Sequence, residues 1–381
     1  MSNKEGKNIL FIAGIIDGHV SGDKEIVKDL ISLGHNVTCY MLDKFENRFK
    51  ETGAKLKPFS LGNIKIPSNA PEQAILSISL GLSYDVILTD LIKSEKKYDY
   101  LLVDSFYDGI EIGNFLKIPK VINICTFIIY KQPFYTKNKE KRMFEINKVN
   151  KKFNINIQDF LSCHYFGKTK YKFILTSRLF HPQDVINDTF YFLGPSIDER
   201  PIDNTFNFKK EENKKLIYIS LGTLFYDNLD FYKKSIEAFG TLKEFQVIIS
   251  IGKKNNVKDL GDLPDNIFVF NYVPQTQILK QTDIFITHGG INSINEGLFL
   301  NNLPLIVIPR EADQFYNANQ IEKLNAGIVL DKNNITPDIL KNAVYKYLEN
   351  EKEYKDGVNK IVESFKEARE DRKKIYEQII I

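Results

Sequence analysis

Short apolar runs alternate with amphipathic segments along most of this 381-residue chain, and that alternation limits the folds it can adopt. In the first half, Asp23–Leu33 has helical periodicity and ends at Gly34, a good C-terminal cap. The apolar runs predict strands at residues 8–13, 36–42, 99–104, 120–126, 172–176 and 189–193, then at 216–220, 246–251, 266–272, 283–287, 303–308 and 327–330. Strands that alternate with helices form parallel sheets covered on both faces. The sequence therefore predicts an α/β protein with two doubly wound, Rossmann-like sheets facing an interdomain cleft.

The chain is about twice as long as a typical domain, which favours two domains. Residues 194–207 contain two prolines, alternating charges and little periodicity, as expected of a linker. We place an N-terminal domain at 1–197, the linker at 198–207 and a C-terminal domain at 208–355. The remaining residues, 356–381, form a charged and mostly helical tail.

Composition argues against several classes of function. A net charge of +3 is too small to indicate a nucleic-acid partner or stable membrane insertion, and no apolar run approaches the roughly 20 residues that span a bilayer. The three cysteines are widely spaced and form neither a metal motif nor a disulfide framework. These features predict a cytoplasmic protein without a metal site. The isolated histidines His164 and His181 are interpreted as surface residues.

The most informative stretch is THGGINSINEG at 287–297, which follows the apolar run 283–287. Two glycines allow a ligand to approach the backbone closely, and the start of a helix offers unpaired N–H groups that suit a phosphate. An ordinary strand-to-helix turn, with a capping Asn and a solvated acid, has the same pattern. The candidate binding residues here are His288, Gly289, Gly290, Asn292, Ser293 and Glu296.

Two neighbouring strand ends carry further polar and aromatic groups. Tyr272-Val273-Pro274-Gln275 follows one strand, and the pair Asp313-Gln314 follows another. Ligands of parallel sheets bind outside the carboxyl ends of the strands. An aromatic ring for a base, a cradle for phosphates and acceptors for sugar hydroxyls together fit a nucleotide sugar.

The chain resembles a known family of enzymes in these segments. The segment from YVPQTQIL through THGGINSINEGLFLNNLPLIVIPREADQ to LNAGIVL is similar to the donor-binding signature of the nucleoside-diphosphate-sugar glycosyltransferases of GT-B fold. Within them it most resembles the macrolide glycosyltransferase group of bacterial enzymes. The resemblance extends through LIYISLGTLF at 216–225 and ILFIAGIIDGHVSGD at 9–23, and so covers nearly the whole chain.

The resemblance implies a role for each matching residue of the C-terminal domain. Tyr272 would stack on the base and Val273 would contact it through its backbone, while Gln275 and Glu296 would hold the ribose. The diphosphate would lie against the 220–223 loop, which includes Gly222 and Thr223, and against His288, Asn292 and Ser293. Asp313 and Gln314 would bind the sugar hydroxyls. The resemblance also implies that no metal or cofactor is needed and that the tail, 356–381, packs back on the N-terminal domain.

The N-terminal domain would hold the acceptor and the catalytic base. His19 follows Gly18 in the loop after the first strand, and Asp104 ends another strand. Histidine suits a general base near neutral pH, and an aspartate can orient and stabilise it. The family has this histidine in a Gly-His-x-x-Pro motif; here Gly22 stands in place of the proline, which puts the shape of the loop in question.

We therefore expect an inverting, metal-independent glycosyltransferase that moves a hexose, glucose by the match at Gln314, from a UDP-sugar to a hydroxyl of a small molecule such as a macrolide or phenol. The expected assembly is a monomer or weak homodimer. Two alternatives stay open: a glycosyltransferase that acts on a lipid acceptor at the membrane surface, and a non-catalytic nucleotide-sugar-binding protein.

Overall fold

The structure is a computed structural model that describes residues 6–62, 72–126, 129, 139–159, 169–197, 202–222, 228–311 and 313–381. It contains two compact units. Unit 1 comprises Met1–Asp198 with Glu367–Ile381, and unit 2 comprises Glu199–Lys366. The segment interpreted as a linker lies partly outside the described residues, at 198–201.

Unit 1 is built on a seven-stranded sheet in the order β3-β2-β1-β4-β5-β6-β7. Every neighbouring pair is parallel. The strands are β1 (Asn8–Ile12), β2 (Asn36–Leu42), β3 (Lys55–Phe59), β4 (Tyr100–Asp104), β5 (Lys120–Cys125), β6 (Tyr171–Ile174) and β7 (Phe190–Phe192). The central strands are buried along nearly their whole length, which explains why they read as continuous apolar runs and not as alternating ones.

The helices of unit 1 follow the strands in chain order. They are α1 (Asp17–Ser32), α2 (Glu46–Phe49), α3 (Glu72–Ser94), α4 (Gly109–Leu116) and α5 (Lys139–Phe153). The first helix was predicted from Asp23 but begins at Asp17, so His19 lies in its first turn and not in a loop. The two glycines at 18 and 22 concealed this turn, because glycine is a poor helix former and contributes nothing to the apolar pattern.

The strand β3 was not predicted from the sequence. Its residues, KLKPF, include two lysines and Pro58, which is typical of a position where one side of the backbone does not pair. The sheet order places β3 at the edge, beside β2. Charged residues and proline at such an edge also discourage pairing with other chains.

Unit 2 is built on a second parallel sheet of six strands in the order β10-β9-β8-β11-β12-β13. The strands are β8 (Lys215–Ser220), β9 (Phe245–Ser250), β10 (Ile267–Phe270), β11 (Ile284–Thr287), β12 (Leu305–Val307) and β13 (Gly327–Val329). The helices are α6 (Leu229–Phe239), α7 (Gln275–Leu279), α8 (Ile291–Asn301), α9 (Gln314–Lys323), α10 (Pro337–Glu349) and α11 (Glu351–Glu370). Two parallel sheets with helices confirm the predicted fold class.

The last helix, α12 (Arg372–Ile379), packs within unit 1. The guanidinium of Arg372 is buried; it donates to the carbonyl oxygens of Leu193, Gly194 and Pro195 and pairs with Glu25 at 2.6 Å. A buried charge is stable only when it is paired and hydrogen-bonded, as this one is. The arginine therefore fixes the end of the chain to the segment that leaves β7.

Two histidines, His164 and His181, were interpreted from the sequence as surface residues. His181 was interpreted as a surface residue, but its side chain is buried, its ring lies against Phe190 and Phe192, and its Nε2 accepts the Ile129 N–H at 3.1 Å. Burial lowers the pKa of His181 to about 4, so it is a neutral core residue. His164 lies outside the described residues.

Among the described helices, none is both long and apolar enough to cross a bilayer.

Candidate active site

In unit 1, His19 and Asp104 meet at the carboxyl edge of the sheet. Asp104 is the last residue of β4, and His19 lies in the first turn of the helix that follows the neighbouring strand β1. The His19 Nδ1 atom is 2.7 Å from Asp104 Oδ2, and both side chains are buried. A neutral imidazole that donates from Nδ1 keeps its lone pair on Nε2. That arrangement allows Nε2 to accept a proton from a hydroxyl.

Further contacts fix the orientation of this pair. The His19 ring stacks on Phe106, with ring centroids 4.3 Å apart and planes 8° from parallel. The other carboxylate oxygen, Asp104 Oδ1, accepts the Phe106 N–H at 3.0 Å. Phe106 therefore restrains both members, and it was not singled out from the sequence.

Two residues near the pair, Gly14 and Asp23, were also missed. A Cβ on Gly14 would lie 2.8 Å from His19 Cβ and 3.1 Å from Asp104 Cγ, so no larger residue fits without displacement. The Gly14 N–H donates to Asp23 Oδ2 at 2.7 Å. Asp23 is fully buried, and this burial, with the nearby charge of Asp104, raises its pKa well above the usual range.

The departure at Gly22 has a local explanation. A Cβ at this position would overlap the Cδ1 atom of Leu175, at the end of β6, and would lie 3.4 Å from Thr126 Cγ2. The helix thus approaches the sheet closely at Gly22, and Leu175 fills the space that a larger residue would need. Since the neighbour is the end of a flexible side chain, this constraint is softer than the one at Gly14.

In unit 2, His288 directly follows β11, and two glycines bracket its ring. A Cβ on Gly222 would lie 2.5 Å from His288 Cε1, and one on Gly290 would lie 2.6 Å from His288 Nε2. Gly222 also has a left-handed backbone, with φ +78°. Burial, and then the charge of Arg310, lowers the pKa of His288 to about 4 despite a hydrogen bond to the Ser220 backbone.

The helix α8 begins at Ile291, three residues after His288. Gly290 is its N-cap residue, and no side-chain hydrogen bond caps this end. Asn292 and Ser293 lie in the first turn. Backbone N–H groups at a helix start have no partner within the helix, and they attract anions together with the helix dipole. The predicted cradle of glycines, amide and hydroxyl thus lies at the start of a helix.

Gln275 and Glu296 form one hydrogen-bonded group. Gln275 Nε2 donates to Glu296 Oε2 at 2.8 Å and to Ser293 Oγ at 3.2 Å. Its Oε1 accepts from the hydroxyl of Tyr218, at 3.3 Å. Glu296 is buried, and Tyr218 stacks on Phe285 in the core. Tyr218 therefore fixes the position of the Gln275 side chain. It was not predicted to have a role, because it lies within an apolar strand.

The Asp313-Gln314 pair is connected to the glycine turn by Asn317. Asn317 Nδ2 donates to the Gly289 carbonyl at 2.9 Å and to Asp313 Oδ2 at 3.1 Å. Gln314 Oε1 accepts the N–H groups of Arg310 and Glu311, at 2.9 and 3.2 Å. Asn317 was missed, although its position one helical turn after Asp313 could have indicated it.

The remaining predicted residues differ in exposure. Tyr272 follows β10 and is 55% exposed, as a residue available for stacking would be, whereas Val273 is buried. Gly289 has φ +84°, and a Cβ there would lie 2.6 Å from Val307 Cγ1. Thr223 lies outside the described residues. No cluster of three or more His, Cys, Asp or Glu side chains in the described part of the chain has the arrangement of a metal site.

Comparisons with known proteins agree with this architecture. The glycosyltransferase family 28 C-terminal domain matches residues 218–372. The uncharacterized UDP-glucosyltransferase YdhE of Bacillus subtilis (strain 168) is 30% identical over 397 aligned positions, covering 98% of each chain. The oleandomycin glycosyltransferase of Streptomyces antibioticus is 34% identical over 161 positions, covering 42% of this chain and 37% of that protein.

Solved structures show the same fold at lower identity. The crystal structure of the glycotransferase of kitacinnamycin has a TM-score of 0.78 and 22% identity, covering 98% of this chain and 99% of that one. The calicheamicin glycosyltransferase CalG4 has a TM-score of 0.73 and 17% identity, covering 98% of both. Because the match to YdhE spans both proteins almost completely, it shows the family and not only a shared domain. The chain belongs to the family of UDP-glycosyltransferases of GT-B fold, and it is a glycosyltransferase.

Proposed function

We propose that this enzyme transfers a hexose, with glucose as the first candidate, from a UDP-sugar to a hydroxyl group of a small-molecule acceptor. Transfer proceeds with inversion at the anomeric carbon and without a metal ion. The name of the relative YdhE supports UDP-glucose as donor, and that of the oleandomycin enzyme supports a natural-product acceptor. The observation that carries the proposal is the buried hydrogen bond of 2.7 Å between His19 and Asp104.

In the proposed reaction unit 1 supplies the base. His19 Nε2 accepts the acceptor's hydroxyl proton as that oxygen attacks the anomeric carbon. The new carbon–oxygen bond forms while the bond to the UDP oxygen breaks, and UDP leaves with the electron pair. Asp104 holds the imidazole by Nδ1 and stabilises the imidazolium that results. A single displacement of this kind inverts the anomeric configuration.

Unit 2 supplies the donor site. Tyr272 stacks on the base, and Val273 contacts it through the backbone. Gln275 orients the carboxylate of Glu296, and together they accept hydrogen bonds from the ribose diol. The sugar hydroxyls bind Asp313 and Gln314.

The diphosphate lies at the start of α8, against His288, Asn292 and Ser293. It also lies against two loops: the turn of Gly289 and Gly290 after β11, and the 220–223 loop after β8, which includes Gly222 and Thr223. The uncapped helix start and the charge of Arg310 compensate the charge of the leaving diphosphate. This compensation is the physical basis for proposing a metal-independent reaction.

A donor and acceptor screen tests the proposal. UDP-, dTDP- and GDP-hexoses are incubated with a panel of phenols and macrolides, with and without EDTA, and products are read by mass spectrometry. We expect UDP-glucose to give the best yield, EDTA to leave the rate unchanged, and NMR of the product to show a β-glycoside from the α-linked donor. An α-glycoside, or complete loss of transfer in EDTA, would contradict the mechanism. A lipid acceptor in vesicles, added to the same panel, tests the alternative acceptor class.

A further inference from the structure

One buried acid beside the catalytic pair has no part in the proposed reaction. We infer that Asp23 is a positioning residue for the His19–Asp104 pair and that it acts as an uncharged carboxylic acid. This inference rests on the proposed function, because it assumes that the pair performs the proton transfer.

Asp23 and His19 lie one turn apart on α1, so both side chains point to the same side of the helix. Asp23 Oδ2 accepts the Gly14 N–H at 2.7 Å. Gly14 in turn lies against both members of the pair, close enough that a Cβ would come within 3.1 Å of the Asp104 carboxylate. Asp23 thus fixes the backbone that forms one wall of the catalytic pair.

The surroundings of the second carboxyl oxygen of Asp23, Oδ1, favour the uncharged acid. The side chain is 0% exposed, and Oδ1 has no hydrogen-bond partner among the described residues. A buried carboxylate with an unpartnered oxygen is strongly unfavourable, whereas the protonated acid carries no charge to solvate. Asp104 lies nearby and already carries a negative charge, which makes a second anion costlier still.

The other titratable groups around Asp23 do not reverse this conclusion. Arg48, on α2, favours the ionised form, but it also contacts the exposed Asp17 and donates to Ser21 Oγ at 2.6 Å. Cys39 on β2 and Tyr107 after β4 are buried, and burial raises the pKa of each, so neither adds charge near neutral pH. An uncharged Asp23 leaves Asp104 as the anionic partner of the imidazole.

Two substitutions of Asp23 distinguish the effect of its hydrogen bond to Gly14 from the effect of its charge. Asp23→Asn keeps an oxygen that can accept the Gly14 N–H and resembles the protonated acid, whereas Asp23→Ala removes the acceptor. We expect D23N to keep kcat within about twofold of wild type between pH 6 and 9, with the acid limb of its kcat/KM profile at the same pH. We expect D23A to lose about 10- to 100-fold in kcat, because small displacements of a base have effects of this size, while donor KM is unchanged.

Thermal unfolding tests the charge state independently of activity. A carboxyl group whose pKa is raised in the folded state binds a proton that the unfolded chain releases above about pH 4. Its contribution to stability is therefore lost as pH rises from about 4 towards the raised value. Asparagine needs no proton, so the Tm of D23N should rise relative to wild type as pH increases from 5 to 8.

The outcomes separate this inference from the proposed function. A Tm difference that falls with rising pH, a D23N enzyme as slow as D23A, or a D23A enzyme as fast as wild type would overturn the role of Asp23. If D23A fails to fold, the D23N measurements still decide. Transfer that survives His19→Ala would instead overturn the proposed function, and it would leave the thermal result for Asp23 intact.

Discussion

His19 in unit 1 and His288 in unit 2 have different electrostatic surroundings. His19 is hydrogen-bonded to a buried carboxylate, Asp104, at 2.7 Å. Burial, and then the positive charge of Arg310, lowers the pKa of His288 to about 4, although its hydrogen bond to the Ser220 backbone acts in the opposite direction. A neighbouring anion stabilises an imidazolium, whereas a neighbouring cation opposes it. The same residue type thus has a carboxylate as hydrogen-bond partner in unit 1 and a nearby cation in unit 2.

Glycine plays a comparable part beside each histidine, but with a different result. Gly14 lies against the Cβ of His19, whereas the ring of His19 stacks on Phe106. Gly14 therefore restricts where the base of the His19 side chain lies. Gly222 and Gly290 lie against the ring of His288 itself. In unit 2 the glycine backbone therefore approaches the half-buried imidazole itself, as suits a fixed hydrogen-bonding group near a ligand.

The largest effect is expected from removing the base. His19→Ala should lower kcat by about 10³-fold, within the usual range for general bases, because it removes Nε2, the proposed proton acceptor. The measurement is the initial rate of transfer at saturating donor. His35→Ala is the control, since this histidine follows α1, where its Nδ1 accepts the Lys7 N–H at 3.3 Å, and it has no part in the proposed reaction. Equal rates for the two variants would remove the distinction between His19 and any other histidine.

Neutralising the partner of His19 should have the next largest effect. Asp104→Asn keeps the shape of the side chain but removes the charge that stabilises the imidazolium, so we expect kcat to fall about 10²-fold. Donor KM should not change, because Asp104 is fully buried in unit 1. A variant with wild-type kcat would show that the carboxylate only fills space.

The low pKa of His288 predicts a loss of stability in acid. The unfolded histidine takes up a proton below about pH 6.5, whereas the folded one does so only near pH 4. Its contribution is present above pH 6.5 and is lost as pH falls towards 4, by about 2 kcal/mol between pH 7.5 and 5. His288→Gln should therefore lose less stability over this interval in urea titrations. His181 remains in both proteins, so identical losses would contradict the environment described for His288.

A smaller effect is expected from the glycine at the start of α8. Gly290→Ala places a methyl group 2.6 Å from His288 Nε2 and should raise donor KM about tenfold, with little change in acceptor KM. In a His288→Ala background the contact is gone, so the second substitution should add much less. If the two effects are simply additive, the ring and the glycine are not coupled.

Much of unit 2 could be predicted from the sequence, because its signals are local. The strand before THGGINSINEG, the glycine turn and the following helix occupy neighbouring positions, and β11 and α8 lie within a residue of their expected limits. The groups that support the site were not predicted. Tyr218 and Asn317 act through contacts across 57 and 28 positions of the chain, and no short pattern encodes such contacts.

Unit 1 was harder to predict for the same reason. His19 and Asp104 are 85 positions apart, and their pairing was expected only from the resemblance to a family. Asp23 looked like the first residue of an amphipathic helix, where an acid is ordinary. Its burial depends on the earlier start of α1 and on the closeness of Gly14, which only the folded chain reveals.

The division of labour between the two histidines is tested most directly by titrating UDP calorimetrically into the wild-type enzyme, His19→Ala and His288→Ala. We expect H19A to bind UDP with a Kd within about twofold of wild type, and H288A to bind at least about tenfold more weakly, a loss of about 1.4 kcal/mol. UDP binding weakened by H19A as much as by H288A, or left unchanged by H288A, would contradict the assignment of chemistry to unit 1 and donor binding to unit 2.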